Sequence, residues 1–212
     1  NSIAAGMNPT DVIKARSVPG STTKEIIRPV GKLSLDAQLT DTLSASAYVP
    51  YEWESSKPTW AGSYFSAGEN LAPAGELSYR GATTFTVIEA QKPKSSGQGG
   101  VSLRWRSEAL DTDFGFHAVR YHVAPANFAY LTAARQLQWM AHEGVQAYAV
   151  SAAKTIGNVS WGAEASIRRN TPLPSDPPSF ATITPIGPSN PGYAVGNTGH
   201  LQVNWISTLG PS

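Results

Sequence analysis

The side chains able to do chemistry are few and scattered. His117, His122, His142 and His200 could each hold a metal or move a proton, but they do not form a metal motif. His117 and His122 lie five apart, so on one strand they would face opposite sides. Histidines of a surface or of a water-filled interior account for all four. Glu52 and Glu54 share one face of an alternating run; two carboxylates could act as an acid–base pair, and a solvated rim is the simpler role. Gly97-Gln-Gly99-Gly100 is glycine-rich, yet it lacks the preceding strand, the Lys-Ser/Thr pair and the following helix of a phosphate loop. Asn158-Val159-Ser160 spells a glycosylation triplet inside a tight turn and is read as chance. No nucleophile–base pair is recognisable, so no enzyme, no metal and no cofactor is expected.

Charge patterning is more informative. Arg104 and Arg106 occupy one face of a strand, with Glu164 and Arg168 on the matching face elsewhere. Such a set either lines an aqueous interior and tunes its selectivity or forms structural ion pairs. Asp36 and Gln38 belong to the same polar set. In a long connection, Trp60, Tyr64 and Phe65 either meet a ligand or pin the loop down, and pinning is the preferred reading.

The elements that position these residues alternate with a period of two. In 32–54, Leu33, Leu35, Ala37 and Leu39 fall on one face and Lys32, Ser34, Asp36 and Gln38 on the other. After Thr40-Asp41-Thr42, a turn-sized polar triplet, Leu43, Ala45, Ala47, Val49, Tyr51 and Trp53 alternate with polar residues. The pattern returns in 101–123 around Asp111-Thr112-Asp113, and in 144–169 around Ile156-Gly157-Asn158. A last strand is expected near 198–207. Residues 1–23 read as loop, with Asp11 able to cap a short turn, and Pro29 marks 24–31 as an irregular extended run. The connections at 55–98, 124–141 and 171–192 are long. The first has one strand-like piece at 82–90; the second has helical spacing at Leu131, Ala134, Leu137 and Met140, which predicts a short helix over Tyr130–Met140.

Composition sets the bounds. The 212 residues suit one domain or part of a larger one, and a net charge of +1 gives no reason to expect a nucleic-acid partner. Charged residues are only 15%, below the roughly 25% of ordinary soluble domains. Gly (19) and Pro (16) favour strands joined by turns, and the absence of Cys removes disulfides and thiolate sites. No apolar run is long enough for a spanning helix, but barrel strands need only about 9–11 alternating residues. The chain starts at Asn1 without a leader, which fits either processing or a piece of a longer chain.

Periodicity alone leaves the apolar faces two destinations, lipid or a protein core. Three features lean toward lipid. The apolar faces are rich in Ala, the connections alternate short and long, and aromatics fall near strand ends, where Tyr51, Trp53, Trp105, Trp161 and Trp205 would form a girdle. The strand 114–123 is ambiguous, because placing Arg120 and His122 inward puts His117 outward. Gly144–Thr155 is mixed, with Tyr148, Val150 and Ala152 taken as outward.

Several stretches resemble one family in order. They are Met7-Asn-Pro-Thr-Asp11, Val18-Pro-Gly20, Lys24-Glu-Ile-Ile27, Tyr51-Glu-Trp53, Gly62-Ser-Tyr-Phe-Ser66, Phe114-Gly115 with Tyr121-His122, Asn170-Thr-Pro-Leu173, and Gly199-His-Leu-Gln-Val-Asn-Trp-Ile206. Together the chain resembles domain-of-unknown-function family 1302. The resemblance implies an exported, largely proteobacterial protein of the outer membrane, and an internal fragment of a longer barrel. It carries no catalytic residues over, and it implies handling of hydrophobic compounds by association only.

The expected fold is therefore all-β: an antiparallel up-and-down sheet, part of a transmembrane β-barrel, with long loops and at most one short helix. The expected function is a segment of a channel or transport component for small compounds, hydrophobic ones included, in the bacterial outer membrane. Its partners would be outer-membrane lipid or lipopolysaccharide and a hydrophobic small molecule. Asp36, Gln38, Arg104, Arg106, Glu164 and Arg168 would line the lumen. The alternative is a soluble β-sandwich module that binds a ligand or carbohydrate through loop aromatics. A secreted hydrolase is the least supported.

Overall fold

Tight turns dictate how the main sheet is laid out. The computed structural model describes residues 7–59, 64, 77–80, 83–124, 128–131, 136–173 and 193–207. Within them β1 (Lys32–Thr40) and β2 (Leu43–Pro50) are joined by two residues, Asp41 and Thr42. β9 (Val145–Ile156) and β10 (Val159–Pro172) are joined by Gly157 and Asn158, and Gly157 adopts φ +61. A glycine at the first central position suits the hairpin turns whose twist matches right-twisted strands. β5 (Gly99–Ser107) and β6 (Thr112–Tyr121) meet across 108–111, closed by Asp111 at φ 47. The turn thus precedes Thr112 and Asp113, which are strand residues.

These hairpins, followed by β11 (Val195–Ser207), form one antiparallel seven-stranded sheet in the order β1-β2-β5-β6-β9-β10-β11. Each strand lies beside the next of this series, so the short turns gather at one end and the connections 51–98, 122–144 and 173–194 at the other. β1 and β11 each have a single neighbour among the described residues. The all-β expectation and the short–long rhythm hold. Among the described residues the sheet is open, not a closed barrel.

The long connections contain strands, of which the sequence predicts only the piece near 82–90. β3 (Leu77–Arg80) and β4 (Thr83–Gln91) come from the first, β7 (Phe128–Leu131) and β8 (Gln136–Met140) from the second. They form a second sheet, β3-β4-β8-β7, in which β4 and β8 run parallel. The helix expected over Tyr130–Met140 is thus replaced by strands at its described positions. Pairing along β4, where Thr86 aligns with Gln136 and Ile88 with Gln138, outweighs a weak helical spacing. The exclusively antiparallel expectation applies to the main sheet alone.

Two short helices also correct the expected limit of one. α1 (Val12–Ser17) is capped by Asp11, whose side chain accepts from the Lys14 amide. α2 (Thr23–Ile26) begins with Thr22 and Glu25 in a capping box, the Thr22 amide donating to Glu25 at 2.7 Å. It occupies part of the run expected to be extended. Thr10 bridges to Ile27 and Asp11 to Lys57, while Arg28 pairs with Glu54 at 2.9 Å. The segment before β1 is thereby strapped to the one after β2. Met7 packs, with Val119, on a buried cluster of Tyr121, Val123, Val145 and Ala147.

Candidate functional site

Strand register sorts every side chain of the main sheet onto one of two faces, because cross-strand partners share a face. One face carries rows such as Leu35–Ala47–Val101–Ala118–Tyr148–Ile167 and Ala37–Ala45–Leu103–Phe116–Val150–Ala165–Leu201. Its large residues lie open: Leu35 is 69% exposed, Val101 57%, Val150 50% and Leu201 79%. Nothing among the described residues covers this face. A contiguous exposed apolar surface of this kind marks a face made to meet a partner or a membrane.

At the turn end of this face stand Trp105, Trp161 and Trp205. Trp105 stacks on Phe114 at 5.4 Å between centroids, and Trp161 lies 5.7 Å from Trp205. Tyr51 and Trp53 lie beyond the end of β2. Tyr51 is exposed, whereas Trp53 is half-buried beside Met7 and Ile27 in a cleft at the loop end. Of the three loop aromatics, Tyr64 is exposed, while Trp60 and Phe65 lie outside the described residues.

The opposite face is polar toward the turns. One transverse row reads Gln38–Ser44–Arg104–Gly115–Ser151–Glu164–Gln202 and the next Asp36–Ser46–Ser102–His117–Ala149–Ser166–His200. Asp36, Gln38, Arg104, Arg106, Glu164 and Arg168 all share it. Register also settles β6: His117 is on this polar face, and Arg120 is on the other at the loop end. His122 falls past the strand, in the connection.

Shared face does not mean shared contact. Arg106 pairs with Asp111 and, at 2.6 Å, with Asp113, two partners the sequence reading had placed in the turn. Arg104 and Glu164 are in one row but three strands apart, roughly 14 Å at ordinary strand spacing. A cleft of ≈ 510 Å³ is lined by Gln38, Ser44, Arg104, Gly115, His117 and Ser151 among others, and a second of ≈ 410 Å³ by Asp36, Ser46, Ser102 and again Arg104. Gly115 figured in the sequence only through the Phe114-Gly115 stretch and Ser151 not at all; the register brings both to Arg104.

Toward the loop end the same face becomes protein core. Tyr121 aligns with Val145, and Val119 with Ala147; Val145 and Ala147 are fully buried. Beyond it, two buried histidines tie the connections together. His122 Nδ1 accepts from the Gly144 amide at 2.9 Å, so Nε2 carries the proton and donates to the Ser96 carbonyl at 3.0 Å. His142 Nε2 donates to the Asn170 carbonyl at 2.8 Å, leaving Nδ1 to accept from the Tyr193 hydroxyl at 2.6 Å. Burial lowers the His142 pKa, against the opposing pull of its Asn170 hydrogen bonds. Burial pushes the Tyr193 hydroxyl up to about 12, with Glu143 adding to it. These histidines are structural clasps; among the described residues no cluster of His, Asp or Glu could hold a metal.

No helix among the described residues is long and apolar enough to cross a membrane. A family model described as a protein of unknown function, DUF1302, matches residues 1–210. No curated protein and no solved structure matches the chain.

Proposed function

The chain belongs to the DUF1302 family, and from that premise we propose that it is a stretch of the wall of a bacterial outer-membrane β-barrel. The observation that carries this reading is the uncovered apolar face, backed across the same strands by a polar one. Lipid satisfies the first and an aqueous lumen the second. Trp105, Trp161 and Trp205 then belong to an interfacial girdle on the turn side, and the long connections to the opposite side. The open edges of β1 and β11 call for further strands of the full-length protein, since an unpaired edge has no place in hydrocarbon. The barrel's function is passage of small compounds, hydrophobic ones included, along the polar face and past the loop-end core.

Cell fractionation with the full-length gene tests this. Recovery in the outer membrane, with gel mobility that changes on heating, is the expected result. Recovery in the soluble periplasm would overturn it and leave a soluble β-sandwich binding module in its place.

A further inference from the structure

Resting on the reading of the polar face as a pathway wall, we propose that Arg104, His117 and Ser151 form a binding site for a small monocarboxylate above Gly115. Gly115 is the cross-strand partner of both Arg104 and Ser151. It is buried and has no side chain. A methyl group there would stand 2.5 Å from Ser151 Oγ and 3.0 Å from His117 Nε2. A hydroxyl and an imidazole nitrogen therefore converge over the glycine, on the floor of a cleft that Arg104 also lines.

The two arginines of β5 differ in what they have left to offer. Arg106 is engaged by Asp111 and Asp113. Arg104 makes no ion pair among the described residues, yet it lines both clefts of the polar face. Its guanidinium is a planar fork of donors matched to a carboxylate. The Ser151 hydroxyl and the His117 ring add donors from the other side. Asp41 and Asp113 line the first cleft, Asp36 lines the second and Glu164 is the cross-strand partner of Ser151, so the surrounding carboxylates penalise a dianion more than a single negative charge. The missing side chain at Gly115 lets Ser151 Oγ and His117 Nε2 close over its backbone, where a methyl group would crowd both.

The full-length protein, folded in detergent, is dialysed to equilibrium against benzoate and, separately, against its neutral analogue benzamide. Saturable benzoate uptake is expected in the wild type, with benzamide much weaker. Arg104→Gln is expected to weaken benzoate binding about tenfold or more, the loss typical of a charge-assisted hydrogen bond. Arg104→Lys, which keeps the charge and loses the fork, should fall between, and it preserves the test if Arg104→Gln misfolds. Gly115→Ala should weaken uptake by pushing the Ser151 and His117 donors off their positions. Unchanged binding in Arg104→Gln, equal affinity for benzamide, or no saturable uptake by the wild type would each overturn the site. Dialysis reads binding without transport, so failure here leaves the barrel assignment standing, and soluble recovery of the protein would fail that assignment alone.

Discussion

The two faces of the seven-stranded sheet share every backbone hydrogen bond and differ only in which residues alternate onto them. On one face Leu33, Leu35, Val101, Leu103, Val150, Leu201 and Val203 stay exposed from edge to edge. On the other, Asp36, Gln38, Arg104, Ser151 and Glu164 give way toward the loop end to Tyr121, Val145 and Ala147. One face is apolar from edge to edge until a loop-end row of Arg120, Gln146 and Arg169, and the other is graded. A graded face divides between a wet half and a half that packs against the chain's own N-terminal segment.

The sharpest attack on this contrast is a charge placed on each face. On the proposed reading, Leu35→Lys should cost the full-length protein about 2–4 kcal/mol in urea unfolding, the range for a basic residue at mid-depth on a lipid face. Ser46→Lys, one strand over on the polar face, should cost under about 1 kcal/mol, as an ordinary solvated substitution does. Equal losses would erase the distinction between the faces.

Next in size is the gradient along the polar face. Val145→Ala removes two methyl groups from a fully buried site and should cost about 2 kcal/mol from transfer and cavity together. Ser151→Ala, at the turn half, should be nearly neutral in stability. If the two substitutions behave alike, the inner face has no separate core.

A smaller effect should appear on acidification. His142 has a folded pKa below its ordinary 6.5 because it is buried. As pH falls through about 6.5 the unfolded chain takes up the proton and the folded chain resists it. Stability from this group is therefore present above that pH and lost below it, down to the folded pKa. Amide exchange in 141–144, corrected for its intrinsic pH dependence, should accelerate relative to the strands between pH 7.5 and 5. His142→Gln should flatten that response. The least effect is expected at Asp111→Asn. Its pair with Arg106 is exposed and Asp113 remains, so the change should stay under about 1 kcal/mol.

Much of the main sheet was legible from residue alternation. The hairpins at 32–54, 101–123 and 144–169 need only local information, namely period-two patterning and a turn with Gly157 or Asp41 at its tip. The face of β6 was not legible, and the reason is specific. Val119 and Tyr121 are apolar yet point to the polar side, because that side is core at the loop end. Their presence spoils the alternation that His117 would otherwise have shown. The second sheet was hidden for another reason: β4 and β8 find each other across about 45 residues, and no local pattern encodes a parallel pairing. α2 could have been found from Thr22 and Glu25, whose spacing is that of a capping box. Among candidate site residues, alternation gave the shared face of Arg104, Arg106, Glu164 and Arg168. Pairing decided the rest, tying Arg106 to Asp113 and setting Ser151 beside Gly115.

The parallel pairing of β4 with β8 also orders assembly in time. Each hairpin of the wall closes over a few residues, whereas β4 must wait for β8, with the whole β5–β6 hairpin lying between them in the chain. Loop-closure entropy favours the near contacts first and delays the distant one. During folding the local β5–β6 hairpin would close before β4 meets β8, and pulse-labelled amide exchange should find β4 and β8 protected after β5 and β6.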